Sequence, residues 1–147
     1  GGSLIINVIE HLIKNKIPVM GHLGILPQSV KGKFKFKGKK IKERNQIFKD
    51  AKLLQDKGVF SIVLECVETK LAKQITKSLE IPTIGIGSSQ NCDGQVLVID
   101  DLIGLNETKT KFVKKFGRVK NNISQAARSF KKEVLSKKYP TKKYSYN

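Results

Sequence analysis

The sequence predicts an α/β fold, a parallel sheet covered by helices, and three observations carry that prediction. Short runs that are apolar on both faces recur at 17–21, 59–64, 81–87 and 95–99. Amphipathic stretches with helical spacing precede and separate the first three. Two of the apolar runs open on the same Ile-Pro-x-x-Gly pattern, as a repeated βα unit does. Strands apolar on both faces belong to parallel sheets with helices on each side. Such a unit fits part of a (β/α)8 barrel or a doubly wound sheet. A complete barrel needs roughly 250 residues, and this chain has 147. About four strands plus C-terminal helices, in a chain that begins on a helix, read as the C-terminal part of a (β/α)8 TIM barrel. On this reading 1–147 is one portion of a single barrel domain whose N-terminal half is absent from the chain.

The first helix is expected from Ser3, whose hydroxyl can cap the orphan N–H groups. Leu4, Ile5, Val8, Ile9, Leu12 and Ile13 then follow the helical stripe. The first strand is placed at 17–21, with Pro18 near its start, where a missing donor is tolerated. Residues 22–40 lack periodicity and read as a long loop. A second helix spans 42–57, with Ile47, Ala51 and Leu54 on one face and Gly58 as its stop. The second strand is 59–64. A third helix covers 68–79 with Leu71, Ala72, Ile75 and Leu79 inward, and strands at 81–87 and 95–99 follow. From about Lys109 the tail holds one or two basic amphipathic helices.

Composition excludes several classes. No apolar run approaches the roughly 20 residues that cross a bilayer, so no membrane partner is expected. The opening Gly-Gly-Ser is not a secretory leader, and two cysteines are no disulfide framework. A cytoplasmic setting is expected. The only methionine is Met20, so Gly1 reads as a processed, cut or fragment start. The net charge of +17 raises nucleic acid as a partner. However, 26 of the 29 basic residues are Lys, whereas Arg is the bidentate reader of phosphate and base. With Ile and Asn also abundant, compositional drift explains the charge as well as a polyanion does.

Ligands of parallel α/β folds bind at the C-terminal ends of strands. That rule selects His22, Glu65, the run Gly87-Ser88-Ser89, and the pair Asp100-Asp101. An acid after four apolar residues is partly desolvated, which suits Glu65 to general-base work. A glutamate there equally caps the next helix or pairs with a lysine. His22 between glycines is a functional group or a loop hydrogen-bonder. Gly85-Ile86-Gly87 with two serines resembles an anion cradle but lacks a dinucleotide fingerprint. Two adjacent aspartates seldom point into one metal site. Cys66 and Cys92 suit buried structural thiols better than zinc. In 31–40, lysines alternate with Phe34 and Phe36, a pattern that stacks on bases or forms a solvated lid over the barrel mouth.

The segment Pro18-Val19-Met20-Gly21-His22-Leu23-Gly24, followed by Pro27-Gln28-Ser29-Val30, resembles the signature of ketopantoate hydroxymethyltransferases. The similarity continues in one collinear order. It takes in Leu64-Glu65-Cys66-Val67, the 81–87 run, 92–98, 101–105, 111–114 and Tyr139-Pro140. The resemblance implies a (β/α)8 barrel enzyme, a one-carbon transferase of pantothenate and coenzyme A biosynthesis. It moves a hydroxymethyl group from 5,10-methylenetetrahydrofolate to 3-methyl-2-oxobutanoate, giving 2-dehydropantoate. It places the catalytic glutamate on Glu65, which removes the proton at C3, and the active-site histidine on His22, which contacts substrate. Mg2+ stabilises the enolate.

The resemblance also sets limits. The metal-binding aspartates, a Gly-Asp-Ser segment that holds the oxo acid, and a lysine and glutamate lie in the family's first half. No metal ligand is therefore assigned here, and no folate-binding residue either. The chain alone is expected to be inactive, with an open strand edge in need of its partners. When complete it is expected to form a ring-based homo-oligomer, a decamer being one such state, with small-molecule substrates and no nucleic acid. Three departures stand out. The 31–40 stretch is more basic than usual, Lys39 stands where arginine is common, and Ser88-Ser89 replaces Ala-Gly. Two alternatives remain at this point. One is a related phosphoenolpyruvate-type barrel enzyme acting on another 2-oxo acid, and the other a basic nucleic-acid-binding module.

Overall fold

A computed structural model describes residues 1–26 and 36–146. The chain divides into two compact units, Gly1–Val96 and Leu97–Asn147. The first unit runs α1 (Ile6–Lys14), β1 (Met20–Gly24), α2 (Ile41–Asp56), β2 (Ser61–Glu65), α3 (Thr69–Ser78), β3 (Thr83–Ile86) and β4 (Gly94–Gln95). The four strands form one parallel sheet in the order β1-β2-β3-β4. Consecutive parallel strands joined by helices are the repeating unit of a (β/α)8 barrel. The predicted fold class holds: four parallel strands, then C-terminal helices.

The core lies between the helices and one face of the sheet. Ile9, Ile47, Ala51, Leu54, Leu71, Ala72 and Ile75 come from the helices, and Leu23, Ile62 and Leu64 from the strands. On α2 and α3 these are the inward residues that the helical spacing selected; of the stripe expected at the first helix only Ile9 is buried in the core, and Leu4, Ile5 and Val8 are exposed. Gly58 ends α2 with a φ of 90°, and its N–H bonds the Gln55 carbonyl at 2.8 Å. A β-carbon is costly in that conformation, which is why the helix stops there.

Several boundaries differ from the sequence prediction. Ser3 does not cap α1; Ser3–Ile5 form a 3₁₀ turn, and the Ser3 N–H donates to Asp50 Oδ1 at 3.2 Å. The first strand begins three residues later than expected. Pro18 supplies no donor, and pairing starts where the Val19 carbonyl receives the Phe60 N–H. Gly21, read as the strand's end, is an interior position where the backbone approaches α2. A β-carbon there would lie 3.1 Å from Leu54 Cδ1. Consequently 22–24, assigned to the loop, belong to β1. The fourth strand is only Gly94–Gln95, not 95–99, because the chain turns into a helix at Ile99.

The second unit holds α4 (Ile99–Leu102), α5 (Val119–Leu135) and a 3₁₀ turn at Lys142–Tyr144. The basic tail thus forms a single α-helix, starting later than Lys109. Phe130 of α5 meets Tyr139 edge-on with ring centroids 5.5 Å apart. Among the described residues, no helix is long and apolar enough to cross a membrane.

Candidate active site

Strand periodicity of two decides which side chains share a face. Gly21 and Leu23, Ile62 and Leu64, and Thr83 and Gly85 form the helix-covered face, and all are buried. Met20, His22 and Gly24 point the other way, with Val63 and Glu65, and Ile84 and Ile86. None of these is fully buried. His22 and Glu65 therefore stand on the open face of the sheet, on neighbouring strands.

The register brings the two together. Gly24 lies opposite Glu65, and His22 opposite Val63. Because Gly24 has no side chain, the imidazole reaches diagonally across to the carboxylate. His22 Nε2 and Glu65 Oε2 are 3.0 Å apart, with the side chains 29% and 16% exposed. With Glu65 ionised, this bond places a proton on Nε2. His22 is thus inside β1 rather than after it, whereas Glu65 is the last residue of β2, at the strand end where it was expected.

The backbone around Glu65 is tightly held. Its carbonyl accepts the Ile25 N–H at 2.9 Å. Gly24 has a φ of 108°, and a β-carbon there would lie 2.0 Å from the Glu65 carbonyl oxygen. Cys66 takes a left-handed φ of 50°, an uncommon conformation for a residue with a β-carbon. Its N–H donates to the Ile86 carbonyl and its own carbonyl accepts the Lys37 N–H, both at 2.8 Å. From sequence, Cys66 is marked only as a buried thiol, and Gly24 is assigned no structural role. Counting by twos from His22 would have found Gly24, because it faces Glu65 once the strands are in register.

The remaining candidates are engaged elsewhere. Glu68 caps α3, accepting from the Lys70 and Leu71 N–H groups and pairing with Arg44 at 2.9 Å. Burial pushes its pKa up, but the two N–H donors and the Arg44 guanidinium outweigh that and hold it below the usual carboxylate range. The Ser88 hydroxyl donates to the Val67 carbonyl, and Ser89 is buried with its Oγ accepting the Asn91 N–H. Both hydroxyls bond the local backbone. Asp100 and Asp101 lie on α4, not at a strand end; buried Asp101 accepts from Asn106 and Thr108 through one oxygen. Cys66 and Cys92 are free and buried, as structural thiols are. Burial pushes the Cys66 thiol up, and the Glu65 carboxylate adds to it. Of the basic stretch, 31–35 with Phe34 lie outside the described residues. Lys37 pairs in parallel with Val67, and Phe36 is exposed.

The described residues do not by themselves fit Mg2+. No group of three or more His, Cys, Asp or Glu side chains that could hold a metal ion occurs among them, and Glu65 Oε2 lies against His22 Nε2.

Comparison with known proteins identifies the family. The family model for ketopantoate hydroxymethyltransferase matches residues 1–142. A 3-methyl-2-oxobutanoate hydroxymethyltransferase of Pelagibacter ubique (strain HTCC1062) is 63% identical over 146 residues, which are 99% of this chain and 56% of that protein. The enzyme of that name from Bdellovibrio bacteriovorus is 48% identical, over 97% of this chain and 55% of its own length. The one from Pyrobaculum arsenaticum is 44% identical, over 98% and 55%. The chain spans a little over half the length of the curated relatives it matches. With a family model matched almost end to end, and a parallel sheet that presents a glutamate at a strand end, this chain belongs to the ketopantoate hydroxymethyltransferase family.

Proposed function

We propose that this chain supplies the base-bearing part of an active site that transfers a hydroxymethyl group from 5,10-methylenetetrahydrofolate to 3-methyl-2-oxobutanoate. The product is 2-dehydropantoate. The observation that carries the reading is the Glu65–His22 pair at the C-terminal end of a parallel sheet, 3.0 Å apart on its open face. The C3–H of the oxo acid is acidified by the adjacent carbonyl, so a carboxylate within hydrogen-bond reach can act as its base. Glu65 accepts that proton, and C3 becomes the carbon that forms the new C–C bond. His22 holds the carboxylate through Nε2–H and lies beside the reacting atoms, where it contacts substrate.

The same reading makes 1–147 the C-terminal portion of one (β/α)8 barrel. Two facts support it: the relatives are nearly twice as long, and on the His22–Glu65 face Met20 is exposed while Val63, Ile84 and Ile86 are only partly buried among the described residues. Mg2+ ligands, the folate site and ring-based assembly belong to this proposal and to residues outside the chain. The test is Glu65→Gln in the complete protein. Deuterium exchange at C3 of 3-methyl-2-oxobutanoate should fall by at least about 10²-fold, as expected for loss of a general base. Exchange at the wild-type rate would remove Glu65 from the role.

A further inference from the structure

The backbone that follows Glu65 is tied to a neighbouring segment. The Lys37 N–H donates to the Cys66 carbonyl, and the Glu68 N–H donates to the Lys37 carbonyl, both at 2.8 Å. These two bonds bracket the left-handed turn at Cys66, the residue next to the base. Phe36–Gly38 are the return leg of the β1–α2 connection, and something must hold that leg in place. The first turn of α2 does so from both sides. The Glu43 carboxylate accepts the Gly38 N–H at 2.7 Å and pairs with Lys37 Nζ at 3.3 Å. Arg44 next to it binds Glu68 at 2.9 Å.

The contacts of Glu43 differ in worth. The Lys37 ion pair is more than a third exposed on both sides, and such pairs contribute little. The bond from the Gly38 N–H to a carboxylate is charge-assisted and short, and it fixes a backbone position. We propose that Glu43 is a positioning residue for the proposed reaction: by holding Gly38 it keeps Lys37 paired to Cys66 and Glu68, and thereby fixes the direction in which Glu65 presents its carboxylate. This rests on Glu65 being the base. Glu43 touches no reacting atom; it acts through three backbone bonds.

The experiment uses the complete protein with Glu43→Ala, Glu43→Gln and, for comparison, Glu65→Gln. Amide hydrogen exchange at Lys37 and Glu68 reads the pairing directly, and steady-state kinetics reads its consequence. In Glu43→Ala both amides should lose protection, and kcat should fall about 10-fold or more with KM for the oxo acid within about 2-fold. Glu43→Gln keeps an oxygen acceptor for Gly38 and should recover kcat to within about 3-fold of wild type. A merely structural role would lower the melting temperature without that kcat-only loss and its rescue. Protection unchanged in Glu43→Ala, or protection lost with kcat within about 2-fold of wild type, overturns the proposal. Where the alanine variant does not fold, Glu43→Met, of similar volume and without an acceptor, replaces it with the same expectations. Wild-type C3 exchange in Glu65→Gln would remove the base assignment and this proposal with it. That result is read from a different variant and atom, so the two failures are distinguishable.

Discussion

Gly24→Ala perturbs the site without touching either of its functional side chains. The φ of 108° at this position is one that a residue with a β-carbon rarely adopts, at a cost of about 1–3 kcal/mol. The added carbon would start 2.0 Å from the Glu65 carbonyl oxygen and 2.9 Å from its carbonyl carbon. Relief requires the β1 and β2 backbones to part by about 1 Å, which also stretches the 2.9 Å bond from the Ile25 N–H to that carbonyl. Losing that bond costs about 1 kcal/mol. The total loss of stability should be about 2–4 kcal/mol, large against the 5–15 kcal/mol of a typical domain. A displacement of about 1 Å at the base should also lower C3 exchange by about 10²-fold. Urea denaturation reads the first effect, and loss of the C3 proton signal in deuterated buffer reads the second. Gly21→Ala is the control. Its β-carbon would press only on side-chain atoms, Leu54 Cδ1 at 3.1 Å and Ile62 Cγ1 at 3.3 Å, on the opposite face, and would meet the Ser61 carbonyl oxygen at an ordinary contact distance of 3.7 Å. It should cost about 1–3 kcal/mol and leave exchange by the folded protein within about 3-fold. If Gly24→Ala loses stability but keeps exchange within about 3-fold, Gly24 does not set the position of Glu65.

Two further outcomes follow from the same geometry. Asp93 Oδ2 accepts both the N–H and the hydroxyl of Thr83, at 2.8 and 3.0 Å, and Thr83 is fully buried. Asp93→Ala leaves that N–H without its partner and should lower the urea-derived stability by about 1–3 kcal/mol. Glu68 has a depressed pKa in the folded state, so its stabilisation is full above the ordinary glutamate value of about 4.3 and is lost as pH falls through the lower folded value. Stability curves of wild type and Glu68→Gln should therefore converge in acid; a difference that stays constant from pH 7 down to pH 2 would contradict that account.

Helix existence was legible because burial imposes a 3.6-residue period, and Ile47, Ala51, Leu54, Leu71, Ala72 and Ile75 all reach the core as that period requires. Strand limits were less so. Apolar runs mark where a strand is covered, but hydrogen bonding decides where it pairs, and pairing at β1 starts only after Pro18. Hence His22, expected after the strand, lies within it. The end of the sheet was misjudged for a related reason. Val96, Val98 and Ile99 look like strand residues, yet all three are exposed and the chain turns helical at Ile99. The clamp around Glu65 was hidden because it consists of backbone bonds, which any residue can make and no composition reveals.

The two faces of the sheet divide stability from chemistry. Ile62 and Leu64 are wholly buried against the helices, while Val63 and Glu65 between and after them face the open side. Strict alternation would next send residue 66 into the core and residue 67 outward. Cys66 breaks the alternation by turning left-handed, and Val67, at 2% exposure, still enters the core. Glu68 is thereby brought to the N-terminus of α3, where its carboxylate accepts two orphan N–H groups. One uncommon dihedral thus lets consecutive acids do different work: Glu65 stays on the open face beside His22, and Glu68 anchors the next helix. A residue that favours the extended conformation at position 66, such as valine, should undo both at once. It would lower stability through the lost cap and lower C3 exchange through the displaced base, whereas Glu68→Gln should cost stability while leaving exchange by the folded protein near the wild-type rate.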